Sequence, residues 1–378
     1  MGNNNKNRLN IMTKLTKDEM LRIVDENILK LKNKEYKLYF FILDTKGNPS
    51  YPLEYIYQTA YTLKKRGHDV VMLHEEADFV GVGDWMGEEY ASLPHMNVNK
   101  DNVEISPCDF IFIPDIFANV MLQTKNLPCK RVVIVQNYGN ITEFMPVTQT
   151  LDSLGIIDVI TTSEQNEKGV KSYFPNIRTH IVEPSIMPMF RKCEEPRKLI
   201  VNLITREQSD ANKIVKPFYW KNPLYKWVSF RDLRGLSKEV MAEALREAAI
   251  TIWVDDNTDF GTSLIEAVNC GGIVLAKLPY NIQNWMIEDN KPTDAVVWFD
   301  NIDDVSNILS SVIRSWTTDN VPNEVYENQN KLSEVFTETA QETAIIEVYE
   351  KSIIERRLKD FEETRIDVKN NVLKTNEE

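Results

Sequence analysis

The sequence predicts an α/β protein of two domains, each built on a parallel β-sheet. The chain has 378 residues, 42% of them hydrophobic, so it can bury two cores of roughly 150–180 residues each. Short apolar runs alternate with segments of helical periodicity, which indicates parallel strands joined by helices. This alternation starts at Lys37 and starts again at Leu199. We therefore expect two similar domains with a boundary near residue 190.

The first half opens with a strand, a helix and a second strand. Lys37–Leu43 is an apolar and aromatic run that ends in a glycine-containing turn. Helical spacing follows and closes at Gly67-His68, where glycine is a usual C-terminal cap. The remaining strands expected in this half are Asp69–Leu73, Phe110–Ile113, Val132–Val135 and Ile156–Ser163, with a helix at Glu164–Phe174 and a crossing segment at 180–190.

The second half repeats the pattern. Ser237 is a candidate N-cap for a helix through Ala248 whose apolar residues recur at helical spacing. The other predicted elements are strands at Leu199–Ile204, Lys226–Phe230, Ile250–Val254 and Val296–Phe299, and helices at Val305–Trp316 and Glu334–Tyr349. By composition, residues 1–10 and 358–378 are expected to be loose or only locally helical.

Composition excludes several classes of protein. A net charge of −13 argues against a surface that coats nucleic acid or anionic membrane, although a local basic groove is compatible with it. The four cysteines lie far apart without a C-x-x-C spacing, so neither a zinc site nor a disulfide framework is indicated. No apolar run approaches the length of a membrane span. We expect a cytoplasmic protein without stable membrane insertion.

Residues 258–276 are the most informative stretch. An apolar strand run is followed by a turn at Gly261, a helix that contains Glu266, and a second strand after Gly271-Gly272. A turn that leads into a helix N-terminus presents unpaired backbone N–H groups and a partial positive charge, which suit phosphate. Glu266 can accept hydrogen bonds from sugar hydroxyls. The stretch is typical of a nucleotide-sugar pocket.

The same stretch resembles the donor-binding signature of the GT-B glycosyltransferases of family 4, which reads E-x7-E and continues A-x-x-C-G-x-P-V-I-A. The matching residues are Phe260-Gly261, Glu266-Ala267 and Cys270–Ala276. The first glutamate of the signature is replaced by Thr258, with Asp259 beside it. In the family the first carboxylate contacts the transferred sugar and the second contacts the ribose. The resemblance therefore implies that Glu266 binds ribose and leaves the sugar to Thr258 or Asp259.

The resemblance covers residues 37–350 and is strongest over 237–276. It implies a GT-B fold, in which two Rossmann-like parallel-sheet domains face each other across a cleft. The corresponding division of the chain is an N-terminal extension at 1–35, an acceptor domain at 36–189, a donor-nucleotide domain at 190–335, and a closing helix with a polar tail at 336–378.

The phosphate-binding residues implied by the resemblance come from three places. The family carries an arginine and a lysine after the first strand of the second domain, where this chain has Arg206 and Lys213. Two such cations can neutralise a diphosphate; spacing alone favours solvated surface residues, and the downstream resemblance favours the diphosphate. Gly47 stands where the family has a glycine loop that approaches phosphate. The backbone and hydroxyl groups of the turn, from Phe260 to Gly261, Thr262 and Ser263, complete the expected donor contacts.

The acceptor side is less defined. The histidine that the family carries after a middle strand is replaced by Gln136, next to Asn137. Glutamine can hydrogen-bond a sugar but cannot carry a proton, so Gln136 and Asn137 are expected as acceptor or sugar contacts, and Glu143 as a substitute for the histidine. His68 lies at a helix C-terminus and is expected to be structural.

An acidic pair after a strand, Asp255-Asp256, is also how a metal-binding D-x-D site begins. In transferases that use this motif it follows one nucleotide-binding unit, whereas here it follows two, so we expect no metal and no cofactor.

By resemblance, the protein is expected to transfer a sugar with retention of configuration from a nucleoside diphosphate sugar, UDP-sugar in particular. The acceptor is open, with saccharides, lipid-linked glycans, proteins and modified nucleic-acid bases as candidates, and so is the oligomeric state. Because Thr258 and Gln136 replace groups that active relatives possess, a catalytically inactive GT-B scaffold is the alternative. A nucleotide-sugar epimerase is a third possibility, although its paired carboxylates and histidine are not found.

Overall fold

The computed structural model describes residues 16–370, and within them it contains two separate parallel sheets. In the first sheet the strand order is β3-β2-β1-β4-β5-β6-β7, and all neighbours are parallel. Its strands are β1 Lys37–Phe41, β2 Asp69–His74, β3 His95–Asn97, β4 Phe110–Pro114, β5 Lys130–Val135, β6 Asp158–Thr161 and β7 Arg178–Ile181.

The helices of the first half lie between these strands, apart from α1, which precedes the sheet. They are α1 Lys17–Lys32, α2 Tyr51–Lys65, α3 Gly83–Met86, α4 Glu88–Ala91, α5 Ala118–Gln123, α6 Tyr138–Phe144 and α7 Glu164–Tyr173. The central strands β4 and β5 are buried along their whole length, as expected for a sheet covered on both faces.

In the second sheet of the described chain the order is β14-β11-β10-β8-β9, again with parallel neighbours. Its strands are β8 Lys198–Thr205, β9 Ser229–Asp232, β10 Ala248–Val254, β11 Ile273–Lys277 and β14 Val297–Phe299, while β12 Ile287–Glu288 and β13 Lys291–Pro292 form a small antiparallel pair. The helices are α8 Gln208–Lys221, α9 Lys238–Glu247, α10 Thr262–Asn269, α11 Val305–Thr317 and α12 Asn323–Ser333.

The chain then crosses back to the first domain. A helix begins as α13 Glu338–Ile345, continues through a π-helical segment at Ile346–Ile354, and ends as α14 Glu355–Lys369. Tyr349 packs against Phe112 of β4, with ring centroids 4.9 Å apart. The Glu350 carboxylate accepts hydrogen bonds from Arg66 and contacts His68 at 3.0 Å. The closing helix is therefore anchored on the first domain.

The predicted α/β fold class with two parallel sheets is confirmed, with local differences in the bounds of some elements. The strand predicted at Lys226–Phe230 is shifted to Ser229–Asp232, and the helix predicted at Glu334–Tyr349 begins only at Glu338, after a turn at residues 334–337. Residues up to Lys369 form α14, which packs on α1 where composition predicted at most local helix. The loose end predicted at residues 1–10 and the last part of the one predicted at 358–378 lie outside the described residues. The domain limits at 35, 189 and 335 stay predictions; residue 189 falls between β7 and β8.

No helix in residues 16–370 has both the length and the apolar character needed to cross a membrane. The four cysteines are free thiols, three of them buried.

Candidate functional site

Two adjoining cavities lie between the domains, where strands of both sheets end. The smaller has a volume of about 280 Å³ and the larger about 680 Å³. The residues that line both are Ser50, Pro52, Gln136, Arg206, Asn257 and Asp259, three from each domain. A cleft at the carboxyl ends of parallel strands is the usual ligand site of open α/β sheets. The structure thus brings first-domain and second-domain candidates to one place.

The turn after β10 is closed by its own side chains. The Thr258 hydroxyl accepts a hydrogen bond from the Gly261 N–H at 3.0 Å, and the Trp285 indole donates to the Phe260 carbonyl at 3.0 Å. Gly261 has a φ of +83°, and a Cβ atom added there would lie 2.8 Å from Met286 Cε. Only glycine fits this position without strain. Gly261 and the hydrogen bonds that close the turn therefore set the direction in which α10 begins.

The N-terminus of α10 opens into the smaller cavity. Thr262 and Ser263 line that cavity, and their backbone N–H groups have no hydrogen-bond partner in the described part of the chain. The Ser263 hydroxyl accepts from the Trp253 indole at 2.8 Å, which holds the first turn on β10. Free N–H groups at the positive end of a helix form a site for phosphate.

Arg206 adds a cation to the same cavity. It follows β8, and its Nη1 donates to Asp255 Oδ1 at 3.3 Å and to the Asn257 carbonyl at 3.1 Å. Its side chain is 56% exposed, and within residues 16–370 the other guanidinium nitrogens make no hydrogen bond. The guanidinium is therefore held at the cavity wall with donors left for an anion.

The structure does not bring Lys213 to either cavity. Lys213 lies on α8, 57% exposed, and its ammonium pairs with Asp210 at 2.8 Å, which raises its pKa. Gly47, with a φ of +77°, also lies outside the lining, although its neighbour Thr45 lines the larger cavity. Neither Lys213 nor Gly47 lines a cavity in this structure. Phosphate contacts by these two residues stay predictions.

Glu266 is fully buried in a cluster that joins the two domains. Its Oε2 accepts from the Tyr51 hydroxyl at 2.7 Å, and its Oε1 accepts from the Lys238 ammonium at 2.7 Å. Lys238 also pairs with Glu54 at 2.6 Å and lies 4.0 Å from the Tyr51 ring centroid. Tyr51 and Glu54 belong to α2 and Lys238 to α9. Glu266, the residue predicted to bind ribose, is therefore already hydrogen-bonded to protein groups and lies behind the cavity wall.

Burial dominates the electrostatics of this cluster. It raises the pKa of Glu54 to about 7, because Lys238 offsets only part of the burial and Glu266 adds repulsion. Burial alone lowers the pKa of Lys238, but the charges of Glu266 and Glu54 together raise it. The pKa of Tyr51 is raised by burial and by the Glu266 charge. One cation thus holds two carboxyl groups, one of which titrates near neutrality.

The acceptor-side candidates are organised around Asp115, a residue that sequence reasoning missed. Asp115 Oδ2 accepts from the backbone N–H groups of Gln136 at 2.9 Å and Asn137 at 2.8 Å. The Gln136 side chain donates to the Pro52 carbonyl at 2.9 Å. The sequence feature that could have identified Asp115 is its position: it is an acidic residue directly after the buried strand Phe110–Pro114, at the sheet edge where ligands bind.

The buried carboxyl group of Asp115 and the half-buried one of Asp259 face the larger cavity. Burial raises the pKa of Asp115 to about 7, with a further contribution from the charge of Asp259. Burial likewise raises the pKa of Asp259 to about 6. Asp259 stands beside Thr258, where the resemblance places a sugar contact. Glu143 lines the same cavity.

The remaining acidic and histidine candidates have other partners. Asp255 pairs with Arg206, and Asp256 pairs with Lys277 at 2.7 Å. Among the described residues no group of three or more possible ligands has the arrangement of a metal site. His68 is buried between Tyr36 and Glu350, and burial lowers its pKa.

Comparison with known proteins supports the fold. No protein-family model matches the chain. The curated α-1,6-glucosyltransferase of Actinobacillus pleuropneumoniae serotype 7 (strain AP76) is 24% identical over 213 residues, which are 53% of this chain and 62% of that protein. The matched part is thus less than two thirds of that relative.

Among the solved structures that resemble this chain over most of its length, two illustrate the similarity. Sucrose-phosphate synthase from Thermosynechococcus elongatus superposes with a TM-score of 0.59 at 11% identity, covering 84% of this chain and 98% of that one. Anabaena HepE in complex with UDP-glucose gives a TM-score of 0.53 at 11% identity, covering 83% and 99%. At these identities the likeness concerns the fold, which is the two-domain GT-B fold of glycosyltransferases.

Proposed function

We propose that this protein is a retaining, metal-independent glycosyltransferase that moves a hexosyl or pentosyl group from a UDP-sugar to an acceptor. One observation carries the proposal: the open N-terminus of α10 and the guanidinium of Arg206 line the same interdomain cavity. This pairing provides oriented donors and a positive charge for a diphosphate. The similarity to HepE in complex with UDP-glucose and to a glucosyltransferase supports the choice of donor.

In this proposal the protein stabilises the departing diphosphate. As the bond between the anomeric carbon and the β-phosphate oxygen breaks, negative charge grows on the leaving group. Arg206 and the N–H groups of Thr262 and Ser263 bind that charge without a metal ion. Asp259 contacts the transferred sugar from the larger cavity, and Gln136 faces the acceptor, for which saccharides and modified nucleic-acid bases are candidates.

We also propose that the chain belongs with the family 4 enzymes, on the basis of the signature over residues 260–276. In that assignment Glu266 binds the ribose, and the donor takes the place of the Tyr51 hydroxyl on Oε2. The Lys238 contact to Oε1 is compatible with ribose binding, because a carboxylate accepts several hydrogen bonds.

A catalytically inactive scaffold of the same fold is the second candidate. Two observations favour it: the Thr258 hydroxyl is used to close its own turn, and both oxygens of Glu266 are bonded within the protein. A scaffold binds nucleotide or partner without turnover.

The test combines binding with turnover. Calorimetric titration with UDP and release of UDP from UDP-glucose, each with a chelator present, are measured for the wild type and for Arg206→Ala. A hydrogen bond to a charged group contributes about 1.5–3 kcal/mol, so Arg206→Ala should weaken UDP binding by about 10-fold to 150-fold. Lys216→Ala, an exposed lysine on α8 away from both cavities, is the matched control and should change nothing.

The outcomes separate the candidates. UDP binding with UDP release supports the enzyme, and binding without release under any acceptor tried supports the scaffold. Unchanged affinity in Arg206→Ala removes the observation on which the donor site rests. Lys213→Ala, measured in parallel, decides whether the predicted second cation leaves Asp210 to join the donor.

A further inference from the structure

An exposed aromatic patch lies on the second domain. It consists of Trp220, Leu224 and Trp227, which we call the Trp220 patch. Their exposed fractions are 75%, 85% and 61%. Trp220 lies near the C-terminus of α8, and the other two follow in and after the short turn Pro223–Tyr225. Large apolar side chains exposed together in one short segment are typical of an interaction site.

The patch stands on a rigid base. Phe218 is fully buried and stacks on Tyr225 with centroids 6.1 Å apart, and it meets Phe230 edge-on at 5.4 Å. The Tyr219 hydroxyl donates to the Val228 carbonyl at 2.6 Å. Because the base is packed, the exposed side chains are held outward without a mobile loop. A preformed surface of this kind loses little conformational entropy on binding.

Three lysines belong to the same short segment as the patch. Lys216, Lys221 and Lys226 are exposed, and none of them forms an ion pair within the described residues. Lys221 donates to the backbone carbonyl of Asp303 at 3.4 Å. Residues 216–227 contain no acidic side chain, although the whole chain carries a net charge of −13. The segment 216–227 is therefore basic and aromatic on an acidic protein, and the turn Ile302–Asp304 that packs on α8 adds two acidic residues near Lys221.

We propose that the Trp220 patch docks this protein on the surface of an anionic lipid bilayer. Tryptophan favours the headgroup level, where its apolar ring and polar N–H are both accommodated. Lysine side chains extend along an apolar surface and place their ammonium groups among lipid phosphates. Shallow seating of two tryptophans and one leucine needs no helix that crosses the bilayer.

The position of the patch leaves the cleft accessible. α8 has 14 residues and begins just after Arg206, whereas the patch lies at its other end. A helix of this length separates its ends by about 21 Å. Docking through the patch therefore holds the interdomain cavities away from the membrane and open to solvent. The proposal does not depend on what those cavities bind.

The experiment measures co-sedimentation of the full-length protein with two kinds of vesicle. One kind contains phosphatidylcholine alone, and the other contains phosphatidylcholine with phosphatidylglycerol. We expect binding to the anionic vesicles that weakens with added salt. The double variant Trp220→Ser/Trp227→Ser should lose about tenfold or more in affinity. Replacing Lys216, Lys221 and Lys226 by Gln should lose about fivefold per lysine.

Matched controls and contrary results complete the test. Leu29→Ser/Val147→Ser replaces two exposed apolar residues elsewhere and should bind as the wild type does. Circular dichroism verifies that each variant is folded. Absent binding, equal binding to neutral vesicles, or equal binding by the patch variants overturns the proposal. A change of oligomeric state in the Trp variants without a change in vesicle binding also overturns it, because the patch then contacts a second copy.

Discussion

Replacement of Lys238 by Met should expose how strongly the two domains depend on one buried cation. Methionine has a similar length, so the substitution removes the charge with little change in volume. It leaves Glu266 and Glu54, whose side chains are 0% and 3% exposed, without their shared partner. Breaking a buried pair in this way costs about 3–5 kcal/mol. That is a large part of the 5–15 kcal/mol by which proteins are typically stable.

The loss should depend on pH, because the folded protein raises the pKa of Glu54 from 4.5 to about 7. A carboxyl whose pKa is raised by folding holds its proton more tightly in the folded state. The stability from this group is therefore fully present below about pH 4.5 and is lost as the pH rises through about 7, a change on the order of 3 kcal/mol. Without Lys238 the repulsion between Glu54 and Glu266 grows, so Lys238→Met should be damaged more at about pH 8 than at about pH 5.

Urea unfolding at both pH values, followed by tryptophan fluorescence and by circular dichroism, gives the free energy of unfolding where the two transitions coincide. Lys351→Met is the matched control, since Lys351 forms an exposed pair with Glu347. Its loss should stay within about 1 kcal/mol. Equal losses in the two variants, or a larger loss for Lys238→Met at the lower pH, would refute the reasoning.

Three further predictions concern the cleft. Gly261→Ala should lower the melting temperature and weaken UDP binding, because alanine is strained at a φ of +83° and its Cβ would lie 3.0 Å from the Trp285 ring; thermal denaturation with and without UDP measures both. Tyr51→Phe should strengthen UDP binding by calorimetry, because it frees Glu266 Oε2 for the ribose; weaker or unchanged binding contradicts ribose binding there. Sugar transfer should fall as the pH drops through about 6, where Asp259 gains its proton, and this step should be missing from the residual activity of Asp259→Asn.

The strands could be predicted because buried parallel strands appear in the sequence as short apolar runs. Phe110–Pro114 and Val132–Val135 are buried at every position and read as apolar runs, whereas the burial of Lys130 and Arg131 at the start of β5 could not be read from the sequence. Helix α1 was missed because it is largely polar and has four buried residues. It packs against α14 near the other end of the sequence. A contact over that sequence separation cannot be predicted from a local pattern.

The same distinction separates the parts of the site. Gly261 and its turn form a local feature, and Arg206 follows a recognisable strand, so both could be found in the sequence. The interdomain cluster could not, because Tyr51 and Glu266 are 215 residues apart and meet only when the two domains pack together. Asp115 belongs to an intermediate case: its strand was predicted, but its hydrogen bonds to Gln136 and Asn137 depend on the pairing of neighbouring strands.

The placement of α10 connects the smaller cavity with the interdomain cluster around Glu266. This helix has only eight residues, yet its first turn presents Thr262 and Ser263 to the cavity while Glu266 reaches the cluster with Tyr51 and Lys238. A ligand that binds at the N-terminus of α10 therefore contacts the same helix that joins the two domains through Glu266. Since Tyr51 comes from the first domain, the proposed exchange of its hydroxyl for a ribose would remove one interdomain hydrogen bond and so couple donor binding to the packing of the two domains.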